Sequence, residues 1–222
     1  MKIRILLIFL LVILYQNANS QIVDYPFAEV VNQFKRNDSI SPPPSDATFF
    51  IGSSSFTIWN NVQDDFMDIK VVNRAFGGST LVDQIRYIED IVIPFKPERI
   101  IIYCGENDLA FDEKLTASDA EARFVQLFQK IRSQLPDVMI VYVSMKPSPS
   151  RWHLSEKFFE ANQMISNFID SQSNSKFISI WKSMLNKNYL PDSTLFLDDM
   201  LHMNAKGYMI WKKEISAIIN SK

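Results

Sequence analysis

The stretch Ala47-Thr48-Phe49-Phe50-Ile51-Gly52-Ser53-Ser54-Ser55-Phe56 passes from an apolar run into one glycine and then three hydroxyls. Apolar residues in succession, rather than in alternation, mark a strand covered on both faces. Ala47–Ile51 is therefore read as a buried strand, and four further runs read the same way: Lys70–Asn73, Arg99–Tyr103, Met139–Val143 and Phe177–Ile180. Helical spacing fills several of the intervals. Phe124, Leu127, Phe128, Ile131 and Leu135 recur at three- and four-residue steps, flanked by Glu121, Arg123, Lys130 and Arg132. Phe158, Ala161, Ile165, Phe168 and Ile169 repeat the pattern, and Tyr208, Ile210, Trp211, Ile215 and Ile218 predict a closing helix. Strands alternating with helices predict an α/β fold: one domain over residues 47–222, a three-layer α/β/α sandwich around a five-stranded parallel sheet. Ligands in such sheets bind outside the carboxyl ends of the strands, so functional residues should fall just after strands.

Composition bounds the chemistry. A chain of 222 residues, 47% hydrophobic, suits one domain with a sizeable core. The net charge of −2 and the scattered lysines and arginines offer no basic patch for nucleic acid. At the start, Lys2 and Arg4 precede the apolar run Ile5–Tyr15, and the small residues Ala18 and Ser20 lead into Gln21. This is the form of a secretory signal peptide over residues 1–20, too short in its apolar part to span a bilayer, and it predicts a secreted or periplasmic protein. No cysteine stands at the cleavage point to carry a lipid. Residues 21–46 end in Ser41-Pro42-Pro43-Pro44-Ser45 and are expected to form an extended entry segment, since three prolines cannot lie inside a helix. Cys104 is the only cysteine, which rules out an intramolecular disulfide and points to a buried thiol. Two histidines and one cysteine without metal-ligand spacing, and five glycines without a phosphate-cradling loop, predict neither metal nor organic cofactor.

Four segments carry candidate chemistry. In Gly52-Ser53-Ser54-Ser55 the glycine permits a sharp turn that holds a serine at the strand's carboxyl end; the alternative is a helix N-cap. In Ala75-Phe76-Gly77-Gly78-Ser79-Thr80 paired glycines let a backbone N–H approach a substrate, or merely make a turn before a helix starting near Leu81. In Cys104-Gly105-Glu106-Asn107-Asp108 the Asn107 amide offers two donors for a developing oxyanion, or caps a turn. Nothing places Glu106 and Asp108 astride a glycosidic bond. In Asp198-Asp199-Met200-Leu201-His202 a carboxylate three residues before a histidine can hold the ring and leave its other nitrogen as a base. His153 is the rival base, in a Pro-rich loop after the fourth strand, with no Asp beside it in sequence.

These four blocks, in this order, resemble the SGNH hydrolase family, also called GDSL-type lipases and esterases. The resemblance runs from Phe49 to the C-terminus and rests on Ser54, Gly78, Asn107 and the Asp199/His202 pair, with Asn204-Ala205-Lys206-Gly207-Tyr208 continuing as in the family. It implies a flavodoxin-like sandwich and a serine esterase without cofactor. Ser54 would be the nucleophile, His202 the base and Asp199 its orienter, with the Ser54 N–H, the Gly78 N–H and the Asn107 amide forming the oxyanion hole. The family's Gly-Asp-Ser stands here as Gly52-Ser53-Ser54, which leaves Ser53 and Ser55 as neighbouring hydroxyls. Arg151 and Trp152 are candidate substrate contacts. The expected substrate is a small-molecule or glycan ester with a short acyl group. A lysophospholipase and a non-catalytic module that binds acetylated glycans are the alternatives.

Overall fold

The computed structural model describes residues 25–219. The signal peptide expected over residues 1–20 lies outside them. Five strands form one parallel sheet in the order β2-β1-β3-β4-β5: β1 Thr48–Gly52, β2 Val71–Asn73, β3 Arg99–Tyr103, β4 Met139–Val143 and β5 Ser175–Ile178. Successive residues point to opposite faces, and each face meets helices. Phe49, Ile51, Ile100, Ile102, Ile140 and Tyr142 face one core. Phe50, Ile101, Tyr103, Val141 and Val143 face the other. Burial on both sides is why the strands read as continuous apolar runs.

The first core is covered by α1 (Ala28–Ile40), α4 (Leu81–Ile91), α6 (Ala117–Gln134) and α7 (Ser155–Asp170). The second is covered by the short α2 (Ser54–Thr57) and α3 (Val62–Asp65) and by α8 (Ala205–Ile219). There Trp59 and Trp211 are fully buried with Phe56 between them, at centroid distances of 6.3 and 5.7 Å. Local sequence starts the long helices. Thr80 and Asp83 open α4, and Thr116 and Asp119 open α6, as capping boxes that satisfy donors which a helix start leaves free. No helix among the described residues is long and apolar enough to cross a membrane.

Two expectations need correction. Residues 21–46 are not extended throughout, because α1 occupies 28–40. The prolines at 42–44 follow this helix rather than interrupting it, and only Val31 is fully buried, so its apolar signal is thin. Phe27 and Phe34 add partly buried contacts, and the Tyr87 hydroxyl donates to the Pro26 carbonyl at 2.7 Å. The fifth strand lies two residues earlier than the apolar run suggests. Ile180 is buried, yet the ladder ends at Ile178, and the Ile180 N–H donates to the Ser144 hydroxyl instead.

Candidate active site

The turn after β1 presents Ser54. Gly52 has φ +129°, and a Cβ there would fall 1.8 Å from the Tyr103 carbonyl oxygen, so only glycine fits between β1 and β3. Ser53 follows in an extended conformation, and Ser54 is the first residue of α2, where a backbone N–H has no acceptor within the helix. Of the three adjacent hydroxyls only that of Ser54 meets a histidine. His202 Nε2 lies 2.9 Å from Ser54 Oγ. Ser55 is buried and its hydroxyl has no partner among the described residues.

The histidine comes from a tight turn before α8. Asp199 Oδ1 accepts the backbone N–H groups of Leu201 and His202, both at 2.9 Å, and Oδ2 lies 2.5 Å from His202 Nδ1. Met200 turns the backbone through φ +56°, and the Leu197 N–H donates to the His202 carbonyl at 2.8 Å to close the loop. Although burial raises the Asp199 carboxyl, these hydrogen bonds and the nearby imidazole hold it at about 2. It is therefore a carboxylate near neutrality, suited to fixing the ring with Nε2 toward Ser54. The Tyr208 hydroxyl of α8 donates to the Ser55 carbonyl at 2.8 Å, pinning the histidine's helix to the serine's turn. His153, the rival base, is exposed in the 3-10 helix Pro149–Leu154 and makes no contact with Ser54 among the described hydrogen bonds.

The second and third blocks converge on the same edge. Gly77 packs against Ser54, its missing Cβ falling 3.8 Å from Ser54 Cβ. Gly78 adopts φ +83°, and its N–H finds no acceptor among the described residues. Ser79 is the knot. Its hydroxyl donates to the Gly52 carbonyl at 3.0 Å, and its carbonyl accepts Asn107 Nδ2 at 3.0 Å. Asn107 is buried in the first turn of α5 (Glu106–Phe111). Asp108 is buried too, accepting the Leu81 N–H at 2.9 Å and Arg123 Nη1 at 2.7 Å. It thereby ties the third block to the start of α4. Burial raises its carboxyl. Glu106 and Asp108 thus serve separate networks.

One cluster escaped the sequence reading. Lys146, three residues beyond β4, is 2% exposed and donates to Glu106 Oε2 at 2.8 Å and to the Tyr103 hydroxyl at 3.2 Å. Tyr103 also hydrogen-bonds Glu106. Arg151 Nη1 reaches Glu106 Oε1 at 2.8 Å and Asn107 Oδ1 at 3.0 Å. Burial opposes the charge on Glu106, but Lys146 and Arg151 outweigh it and hold the carboxyl below its ordinary value. The only sequence signal was an ionisable residue three positions after a buried strand. Trp152, next along, lies 6.1 Å from Trp181 between ring centroids.

Comparison with known proteins follows this geometry. The family model described as GDSL-like Lipase/Acylhydrolase family matches residues 50–210. No curated protein matches significantly. Among solved structures, a Streptococcus pneumoniae protein described as a platelet activating factor superposes with TM-score 0.77 at 16% identity, over 95% of this chain and 98% of its own. A GDSL-like lipase from Bacteroides thetaiotaomicron gives 0.73 at 16% identity, over 85% and 96%. An acetyl-xylooligosaccharide esterase from Geobacillus stearothermophilus gives 0.63 at 16% identity, over 81% and 96%. At these identities the likeness establishes the fold.

Proposed function

The chain belongs to the GDSL-like lipase/acylhydrolase family, a family of carboxylic ester hydrolases, and on that premise we propose that it removes short acyl groups from sugar or small alcohols through an acyl-enzyme on Ser54. The observation that carries this reading is the relay from Asp199 Oδ2 through His202 to Ser54 Oγ, at 2.5 and 2.9 Å. His202 takes the Ser54 proton as Oγ bonds to the ester carbonyl carbon. The tetrahedral oxyanion is met by the N–H groups of Ser54 and Gly78 and by the Asn107 amide, each such donor being worth about 3 kcal/mol. The C–O bond to the alcohol then breaks, and His202 returns the proton to the leaving oxygen. Water, activated by the same imidazole, releases the acid and restores Ser54.

A sugar hydroxyl as the alcohol is supported by aromatic surface formed by the loops after β4 and β5 and the first turns of α7. Trp152, Trp181 and Phe159 form a chain of ring contacts, at 6.1 and 5.8 Å. Beside it lies a groove of about 280 Å³ lined by Phe159, Phe177 and Trp181 with the polar Gln163, Ser166 and Ser179. Aromatic faces bordered by amides and hydroxyls suit sugar rings. Export is part of the proposal and rests on Lys2, Arg4 and the apolar Ile5–Tyr15.

The test is hydrolysis of p-nitrophenyl acetate, butyrate and octanoate and of acetylated xylooligosaccharides, by the protein and by Ser54→Ala. Acetate preference, release of acetate from the sugar and an inert variant are expected. Retained turnover in Ser54→Ala refutes the nucleophile. Octanoate preference moves the substrate to lysophospholipid-like esters, and binding of acetylated sugar without hydrolysis makes the protein a recognition module.

A further inference from the structure

The buried cluster beside the oxyanion edge has no part in the proton relay, yet it touches one reacting group, the Asn107 amide. Asn107 Nδ2 carries two protons. One is committed to the Ser79 carbonyl at 3.0 Å, leaving the other free. Asn107 Oδ1 accepts from Arg151 Nη1 at 3.0 Å. A guanidinium can only donate and a carbonyl can only accept. Turning the amide over would set NH₂ against Nη1 and Oδ1 against the Ser79 oxygen, losing both bonds at a site 5% exposed. The pair of partners therefore admits one amide orientation.

Arg151 is itself held. Its Nη1 also binds Glu106 Oε1 at 2.8 Å, and Glu106 is fixed from its other oxygen by Lys146 and Tyr103. Ser150, its neighbour, donates its N–H to the Met200 carbonyl at 3.1 Å, so the Arg151 loop is fastened to the Asp199–His202 turn as well. Two cations and one carboxylate leave the cluster with net positive charge against the amide oxygen. That charge polarises the amide and makes its free N–H a stronger donor toward an anion.

We propose that Arg151 is a positioning residue of the oxyanion hole: it locks the Asn107 amide with Nδ2 toward the reacting carbonyl and acts on catalysis through Asn107 rather than by touching substrate. The inference rests on the serine-esterase reading and on Asn107 as an oxyanion donor.

The experiment is a kinetic cycle on p-nitrophenyl acetate with Asn107→Ala, Arg151→Met and the double variant, with Arg151→Lys as the conservative variant. Thermal unfolding of each checks the fold. Asn107→Ala is expected to lower kcat by about 10²–10³-fold. Arg151→Met should lower kcat by about tenfold to a hundredfold with KM little changed, since a displaced catalytic group costs on that order. The double variant should be no slower than Asn107→Ala alone, and Arg151→Lys should recover part of the loss. Losses that multiply in the double variant, or an Arg151→Met effect confined to KM, overturn the proposal and make Arg151 a substrate contact. If Arg151→Met does not fold, the same cycle is run with Arg151→Lys, whose loss must likewise vanish in the Asn107→Ala background. An Asn107→Ala variant as fast as the parent refutes the oxyanion assignment itself, a failure distinct from that of Arg151.

Discussion

The ion pair between Asp38 of α1 and Arg74, just beyond β2, offers a quantitative test of how the N-terminal helix is held. The side chains are 11% and 7% exposed, so both charges have left water. The guanidinium lies 4.9 Å from the Phe34 ring centroid and 5.8 Å from that of Phe95. The desolvation is incompletely answered, because Asp38 Oδ2 and Arg74 Nε are buried without partners among the described residues. Breaking such a pair from one side strands a buried charge and costs about 3–5 kcal/mol, whereas replacing both ends with apolar groups is often neutral or stabilising. Asp38→Leu and Arg74→Met should each lose about that much, a fall in urea midpoint of roughly 1.5–2.5 M at an m of about 2 kcal/mol/M. The double variant should return to within about 1 kcal/mol of the parent or exceed it, since Met can lie between the two rings where the cation–π contact, about 1 kcal/mol, is lost. The loss in the single variants is capped by the free energy with which α1 docks, so hydrogen exchange in α1 should be followed beside the global transition. Single variants within about 0.5 kcal/mol of the parent, by both measures, would show that the pair is effectively solvated. A double variant that stays as unstable as either single would show that the pair is net favourable over its apolar replacement. Either result refutes the reasoning.

Two further outcomes follow from the site. Tyr208→Phe removes the bond to the Ser55 carbonyl and should cost about 1 kcal/mol of stability, together with a few-fold loss of kcat; unchanged turnover would mean that α8 aligns His202 without it. Asp199 has its carboxyl held at about 2 against an ordinary 3.8, so its contribution to stability is complete above about 3.8 and disappears as pH falls through about 2. Asp199→Asn should therefore be less stable than the parent near neutrality and converge with it on acidification, by a modest amount because Asp199 is 47% exposed. Thermal unfolding of the two proteins from pH 6 to 2 measures this, and a gap independent of pH contradicts it.

The sheet was legible because its central strands β1, β3 and β4 are buried on both faces, which writes unbroken apolar runs into the sequence. Arg99–Tyr103 and Met139–Val143 were placed to the residue. Ile180 misled the end of β5 because burial and ladder pairing are different properties, and the chain stays inside after the last strand bond. Helix α1 was missed because it rests on the first core through few residues and shows solvent a polar outer face. At the site, Asp199 and His202 were readable because an i, i+3 pair is local. The link from Arg151 to Glu106 and Asn107 was not, since its partners are 45 and 44 residues away and only packing brings them together. Lys146 carried no sequence mark beyond its place shortly after a buried strand, because a buried lysine is tolerable only with a carboxylate partner that packing supplies.

Ser54 and His202 are 148 residues apart, and the second anchor, from Tyr208 to Ser55, spans 153. A ribosome therefore delivers the hydroxyl early and its histidine partner almost last. The final strand is complete at Ile178, well before Asp199 leaves the tunnel. An unfinished chain carries every strand of the sheet and Ser54, but not the histidine that hydrogen-bonds it. On the serine-esterase reading, synthesis order acts as a safety catch, and loss of the C-terminal segment from Asp199 onward would set it again.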